Sequence, residues 1–146
     1  MMTDDPLVTA ERIVTDAYMD EIMSAKDYWG KPRYYDMQGR PIKFSQWNAM
    51  MKSRSMIVAK SYLPLGKEMI EVSTVLLSMN YNFGPGRPII FETMIFVSQG
   101  LDGHPLDQYT MRYSTLREAR RGHKLILRVV QRYHRRKPLI HNGGKP

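Results

Sequence analysis

The sequence predicts an α+β fold, in which an antiparallel sheet of about four strands is covered by an N-terminal and a C-terminal helix. The central stretch, residues 69–97, contains two runs rich in Val, Ile, Thr and Phe on either side of a Gly- and Pro-rich loop. The two long stretches of helical periodicity lie near the two ends of the chain. At 146 residues and 42% hydrophobic, the chain is long enough for one core. We therefore expect a single domain over residues 1–137 and a flexible basic tail over 138–146.

The N-terminal half begins with a predicted helix over residues 7–25, where apolar residues recur every three or four positions. Asp36–Gly39 suits a tight turn, which predicts a short hairpin or a structured loop. Ser45 is the expected N-cap of a short helix, Gln46–Arg54. Aromatic residues are concentrated between Tyr28 and Trp47, and we interpret them as packing residues, with a ligand platform as the alternative.

The C-terminal half adds a predicted strand at Ser55–Leu63, the two central strands and a short strand at Tyr109–Tyr113. Short turns between these strands favour antiparallel pairing. Thr115 and Glu118 form a predicted capping box, with reciprocal side-chain bonds to the backbone at both positions. It opens a helix over residues 116–134 whose apolar stripe lies largely opposite its arginines.

Charge is distributed unevenly, although the formal net charge is +8. Residues 1–27 hold two bases and seven acids, whereas residues 112–137 hold ten bases and one acid. The basic end suggests a phosphate-bearing partner, and a solvated helix face is the alternative. There are no cysteines, which excludes disulfides and thiolate metal sites. Without a signal peptide or a run of about 18 apolar residues, we expect a protein of the cytoplasm and no membrane partner.

Glu92 is the sharpest single candidate, because it interrupts an apolar strand. A buried carboxylate needs a positive partner or hydrogen-bond donors. It is either a ligand-binding group or one half of a structural pair with an arginine or His123. His123 lies on the apolar stripe of the last helix and is interpreted as a core residue with one hydrogen bond. The loop containing Asn80, Asn82 and Arg87 is either an anion cradle or a plain hairpin loop.

Recognised catalytic, nucleotide-binding and metal-binding motifs are absent from the sequence, so we expect no enzyme activity, no metal and no cofactor. The arginine face of the last helix predicts, as an alternative function, association with DNA or RNA. The residues that would make these contacts are Arg117, Arg120, Arg121, Lys124 and Arg128.

Three stretches resemble an uncharacterised family of small phage and prophage proteins of the actinobacteriophage type. They read YDMQGRPIKFSQW, VSTVLLSMNYNFGPGRPIIFETMIF and RYSTLREARRGH, within residues 35–47 and 72–123. The resemblance covers about half of the chain. It implies a phage origin and the cytoplasm of an infected bacterium, but the family has no assigned activity.

Small phage proteins of this kind often act by binding, and one class sequesters cyclic-nucleotide signals of host defence in pockets between protomers. The resemblance therefore implies a non-enzymatic homo-oligomer that binds a nucleotide-like or other anionic small molecule. Its expected ligand-binding residues are Asn82, Phe83, Arg87, Glu92, Arg112, Thr115 and His123. A further alternative is a virion or assembly component in which the acidic N-terminal helix meets the basic C-terminal helix of a neighbour.

Overall fold

The predicted α+β class is confirmed by the computed structural model, which describes residues 6–98 and 104–136. The predicted tail over residues 138–146 lies outside these ranges. The described chain contains three helices and two antiparallel sheets. It divides into two compact units. The described part of the first unit comprises residues 6–56 and 76–90, and that of the second comprises residues 57–75, 91–98 and 104–136.

The first unit begins with helix α1 (Pro6–Met23), followed by strands β1 (Tyr34–Tyr35) and β2 (Pro41–Ile42) and helix α2 (Phe44–Ser53). The predicted hairpin is confirmed by the pairing of Tyr34 with Ile42 and of Tyr35 with Pro41. The predicted N-cap was wrong, because α2 begins two residues before Gln46 and its N-cap is Lys43. The Ser45 N–H instead donates to the Asp20 carboxylate at 2.8 Å, which places an acid at the positive end of the helix dipole.

Residues 76–90 complete the first unit as an irregular segment. The N–H of Leu76 donates to the Met56 carbonyl, and the N–H of Leu77 donates to that of Ile90, both at 2.7 Å. The Ser78 hydroxyl donates to the Tyr35 carbonyl. These bonds satisfy the backbone of a segment that does not belong to a regular sheet.

The second unit contains β3 (Ile57–Leu65), β4 (Glu68–Leu76), β5 (Phe91–Val97), β6 (Thr110–Tyr113) and helix α3 (Leu116–Arg136). The last residue of β4 falls in the first unit. The four strands form one sheet in the order β3-β4-β5-β6. Gly66, with φ of +62°, and Lys67 form the two-residue turn of the β3–β4 hairpin, where positive φ favours glycine.

Helix α3 packs its apolar stripe against this sheet. The core contains fully buried Ile70, Val72 and Ile95 from the strands, and Ile126 and Val130 from the helix. The predicted capping box is confirmed at Thr115, whose hydroxyl accepts from the Glu118 N–H at 3.1 Å. The return bond was wrong by one residue, because the Glu118 carboxylate accepts from the N–H of Ser114 at 3.0 Å. This start fixes the position of α3 on the sheet.

Candidate functional site

The first unit contains a tight turn, residues 27–31, that is hydrogen-bonded to a distant loop, residues 82–87. The Asp27 carboxylate accepts from the N–H groups of Trp29 and Lys31, each at 2.9 Å, and Gly30 supplies the positive φ that the turn requires. The Lys31 ammonium then donates to the carbonyls of Gly84 at 2.7 Å and Gly86 at 2.6 Å. Charge-assisted hydrogen bonds of this length are among the stronger ones in proteins. The Lys31 side chain therefore ties the turn to the loop at two carbonyls.

The loop also has its own internal support. The Asn82 amide donates to the carbonyls of Pro85 and Arg87, and its oxygen accepts from the Gly84 N–H. The Asn80 side-chain oxygen accepts from the N–H groups of Asn82 and Ile89. The side chains of two asparagines thus provide hydrogen-bond partners for backbone groups of the loop that have none in regular secondary structure.

A pocket of about 410 Å³ opens beside this loop, a size within the range of small-molecule sites. Its walls are aromatic, with a cation and a carboxylate among them. The lining residues are Asp27, Tyr28, Trp29, Arg33, Tyr34, Met79, Asn80 and Phe83.

Several of these aromatic rings are held in place and yet remain uncovered. The Trp29 indole N–H donates to the Phe83 carbonyl at 2.7 Å, and Tyr28 meets Trp29 edge to face at 5.4 Å. Nevertheless Tyr28 is 92% exposed, Phe83 79% and Trp29 50%. Aromatic rings bury large apolar areas when they find a partner. Exposed rings around one pocket therefore indicate a surface suited to stacking on a planar ligand.

The inner wall of the pocket is more rigid. Tyr34 is buried and packs against Trp47 and Phe44, with ring centroids 4.9 and 5.8 Å apart. The Asn80 side-chain nitrogen is buried without a hydrogen-bond partner among the described residues. A buried donor without a partner costs about 1–3 kcal/mol. A ligand acceptor that reached this nitrogen would remove that cost.

The predicted ligand-binding residues fall in both units. In the first unit, Phe83 lines the pocket, Asn82 shapes the loop, and Arg87 is exposed and accepts from the Asn82 amide at its carbonyl. Glu92, Arg112, Thr115 and His123 lie in the second unit. No observation tests whether any of these seven residues binds a ligand, and their grouping into one site stays a prediction.

Glu92 forms the structural pair that was one of its two interpretations. It lies opposite Arg112 in the β5–β6 register, and the Arg112 Nε donates to its carboxylate at 2.8 Å. Glu92 is 9% exposed, whereas the Arg112 side chain is 46% exposed. The carboxylate therefore has the positive partner that its burial requires.

His123 belongs to a chain of hydrogen bonds in the second unit. Its Nε2 lies 2.9 Å from the Ser61 hydroxyl, and its Nδ1 lies 2.7 Å from the Thr74 hydroxyl, which lies 2.6 Å from that of Thr93. Burial lowers the pKa of His123, because a charged imidazole is poorly solvated there. A neutral ring donates at one nitrogen and accepts at the other. The three hydrogen bonds can therefore all run in the same direction, with each side chain donating to the next.

Sequence reasoning missed most of the pocket. Tyr28, Trp29 and Tyr34 were interpreted as packing residues, which is true of Tyr34 but not of the two exposed rings. Arg33 was not singled out. The concentration of aromatic residues after Asp27 was the feature of the sequence that could have indicated the pocket. No feature of the sequence indicated that this turn contacts residues 79–86.

Comparisons with protein-family models, curated proteins and solved structures found nothing similar to this chain. Within the described residues, no helix is long and apolar enough to cross a membrane. The same residues contain no cluster of three or more His, Asp or Glu side chains that could hold a metal ion.

Proposed function

We propose that this chain is a non-enzymatic binding protein that takes a planar, anionic, nucleotide-like small molecule in the aromatic pocket of its first unit. The observation that carries the proposal is the set of three exposed rings, Tyr28, Trp29 and Phe83, around one pocket of about 410 Å³. Stacking on aromatic faces contributes about 1–3 kcal/mol per base. This geometry and the adjacent cation, Arg33, support the proposed ligand class.

Two polar groups of the pocket would recognise different parts of the ligand. Arg33 lines the pocket and is exposed, so its guanidinium is available for a phosphate or carboxylate in the bidentate geometry that arginine favours. The unpaired Asn80 nitrogen suits a carbonyl or ring-nitrogen acceptor of a base. In a bacterium infected by a phage, a ligand of this class would include the nucleotide signals of host defence, and sequestering them would be a counter-defence activity.

The first experiment identifies the ligand. The purified protein is incubated with bacterial metabolite extract and denatured, and the released small molecules are identified by mass spectrometry. A stoichiometric nucleotide or related aromatic anion supports the proposal. A protein that releases nothing, and that shows no change in tryptophan fluorescence with a panel of nucleotides, contradicts it.

Matched variants then assign the site. Trp29→Ala and Arg33→Ala should each weaken binding, by about fivefold or more for a lost contact of about 1–3 kcal/mol. Tyr18→Ala and Lys52→Ala are the controls, because both side chains are exposed in the first unit outside the pocket. Equal losses in the controls would show that the measured binding does not occur in this pocket.

A further inference from the structure

One face of helix α3 carries the strongest charge concentration in the described chain. Its exposed bases are Arg117, Arg120, Arg121, Lys124, Arg128, Arg132 and Arg135. At about 100° per residue they occupy a sector of about 120°. The buried residues Ala119, His123, Ile126 and Val130 lie on the opposite side. We call these seven bases the basic face.

The basic face has no acidic counterpart within the described residues of the second unit. None of its seven side chains forms an ion pair there. The described acids of the second unit are used elsewhere. Glu71 pairs with Lys60, Glu92 with Arg112, Glu68 lies 3.5 Å from His104, Asp107 accepts from the Val97 N–H, and Glu118 accepts from Ser114. The repulsion among the seven bases is therefore left for an external anion to relieve.

The basic face is presented on a rigid support. Helix α3 has 21 residues, a length of about 31 Å, and its opposite side is packed into the core. Ring atoms of Tyr113 lie so close to Gly122 that they leave no space for a Cβ atom. A row of cations along an anchored helix of this length matches a regular row of phosphates better than it matches a single small anion.

We infer that the basic face binds the phosphate backbone of duplex DNA without sequence specificity. The major groove of B-DNA, about 12 Å wide, admits an α-helix, whereas the narrow major groove of A-form RNA does not. Gln131 is the only exposed amide within this sector, so there is little on this face to read base edges. A membrane surface suits it less, because the apolar stripe that an interfacial helix would insert is buried in the core.

The test measures binding of the full chain to a fluorescent duplex of random sequence at several salt concentrations. With six or seven phosphate contacts, affinity should fall by about 10³-fold or more between 50 and 200 mM salt. The triple variant Arg117→Gln, Lys124→Gln, Arg128→Gln should bind more weakly. Its log–log salt slope should be shallower by about 2.7, at 0.9 per lost phosphate contact.

A matched triple variant separates the basic face from net charge. Arg12→Gln, Lys52→Gln and Lys67→Gln remove the same charge from exposed positions outside α3. This control should keep the wild-type slope, and circular dichroism should confirm that both variants are folded. Equal losses in the two variants, a slope near zero, or tighter binding to anionic phospholipid vesicles than to DNA would each overturn the inference. None of these outcomes depends on the aromatic pocket.

Discussion

The ring of Tyr113 lies directly against Gly122, so that a Cβ atom at Gly122 would overlap the ring carbon Cζ and the hydroxyl oxygen. Tyr113 ends β6 and Gly122 lies in the second turn of α3. This contact joins the last strand to the last helix. It explains why a glycine is present in the interior of a helix, where it costs about 0.5–1 kcal/mol relative to alanine.

Gly122→Ala should destabilise the protein despite the better helix propensity of alanine. Inserting a methyl group into a packed contact costs about 1–3 kcal/mol, which exceeds the helical gain. In a Tyr113→Ala background the same substitution should become neutral or stabilising, because the obstructing ring is gone. Chemical denaturation of the four proteins measures the cycle. A cost for Gly122→Ala that does not change in the Tyr113→Ala background would contradict this explanation.

Tyr113→Phe should leave stability unchanged or raise it slightly. The Tyr113 hydroxyl is buried near the Thr93 side chain but forms no hydrogen bond of normal geometry within the described residues. Burial raises the pKa of this phenol, and removing an unpaired buried polar group removes its desolvation cost. Thermal denaturation is the measurement, and a loss above about 1 kcal/mol would mean that the hydroxyl has a partner.

The free energy of unfolding should decrease as pH falls below about 6.5, with His123 as one cause. Burial lowers the folded-state pKa of His123 below its ordinary 6.5. At pH values above 6.5 the ring is neutral in both states and its contribution is fully present. Below 6.5 the unfolded chain binds a proton that the folded chain excludes, so stability is lost until pH reaches the folded-state pKa.

His123→Gln isolates this contribution, because glutamine does not titrate. Denaturation of wild type and variant at several pH values between about 7.5 and 5 should show the larger decrease in the wild type. The difference between the two profiles cancels the contributions of all groups that the two proteins share. Identical pH dependence of the two proteins would exclude His123 as a cause.

Lys31→Met should loosen the loop next to the aromatic pocket. The substitution removes two charge-assisted hydrogen bonds to the carbonyls of Gly84 and Gly86, each of which contributes about 1.5–3 kcal/mol. Amide hydrogen exchange at residues 82–87 should become faster, and ligand affinity should fall. Lys52→Met is the control for a lost exposed charge, and unchanged exchange in the loop would show that Lys31 does not hold it.

The coupling between Glu92 and Arg112 should be modest, about 0.2–1 kcal/mol in a double-mutant cycle. Arg112 is half exposed, and solvent screens an ion pair of this kind. Alanine substitutions at both positions, measured by urea denaturation, give the coupling. A value well above about 1 kcal/mol would indicate that the pair is shielded from water more fully than the structure has it.

Local patterns in the sequence predicted much of the fold. Alternating β-branched residues predicted the central strands, and Thr115 with Glu118 predicted the start of α3, because hydrogen bonds within a few residues depend on little else. Residues 77–80 have the composition of a strand, but β4 ends at Leu76. Ser78, Met79 and Asn80 instead pair with Tyr35, Tyr34 and Arg33, and the Leu77 N–H donates to the Ile90 carbonyl.

The pocket could not be predicted in the same way. Its walls come from residues 27–34 and 79–83, and nothing local specifies that the Lys31 ammonium reaches Gly84 and Gly86. The segment RYSTLREARRGH, which carries part of the resemblance, was expected to contribute Arg112, Thr115 and His123 to ligand binding. Its polar and small residues have structural contacts in the second unit: Arg112 pairs with Glu92, Thr115 caps α3, Gly122 accommodates Tyr113, and His123 bonds to Thr74.

The division of the chain places a limit on how its parts can be inherited or exchanged. Residues 76–90, which supply Asn80 and Phe83 to the pocket, are inserted between two neighbouring strands of the second unit. Cutting the gene at residue 56 would remove one wall of the pocket, and deleting 76–90 would leave the strands to be joined by a new turn. Recombination that transfers the pocket as one segment must therefore also transfer β3 and β4, so the pocket cannot be exchanged without half of the four-stranded sheet.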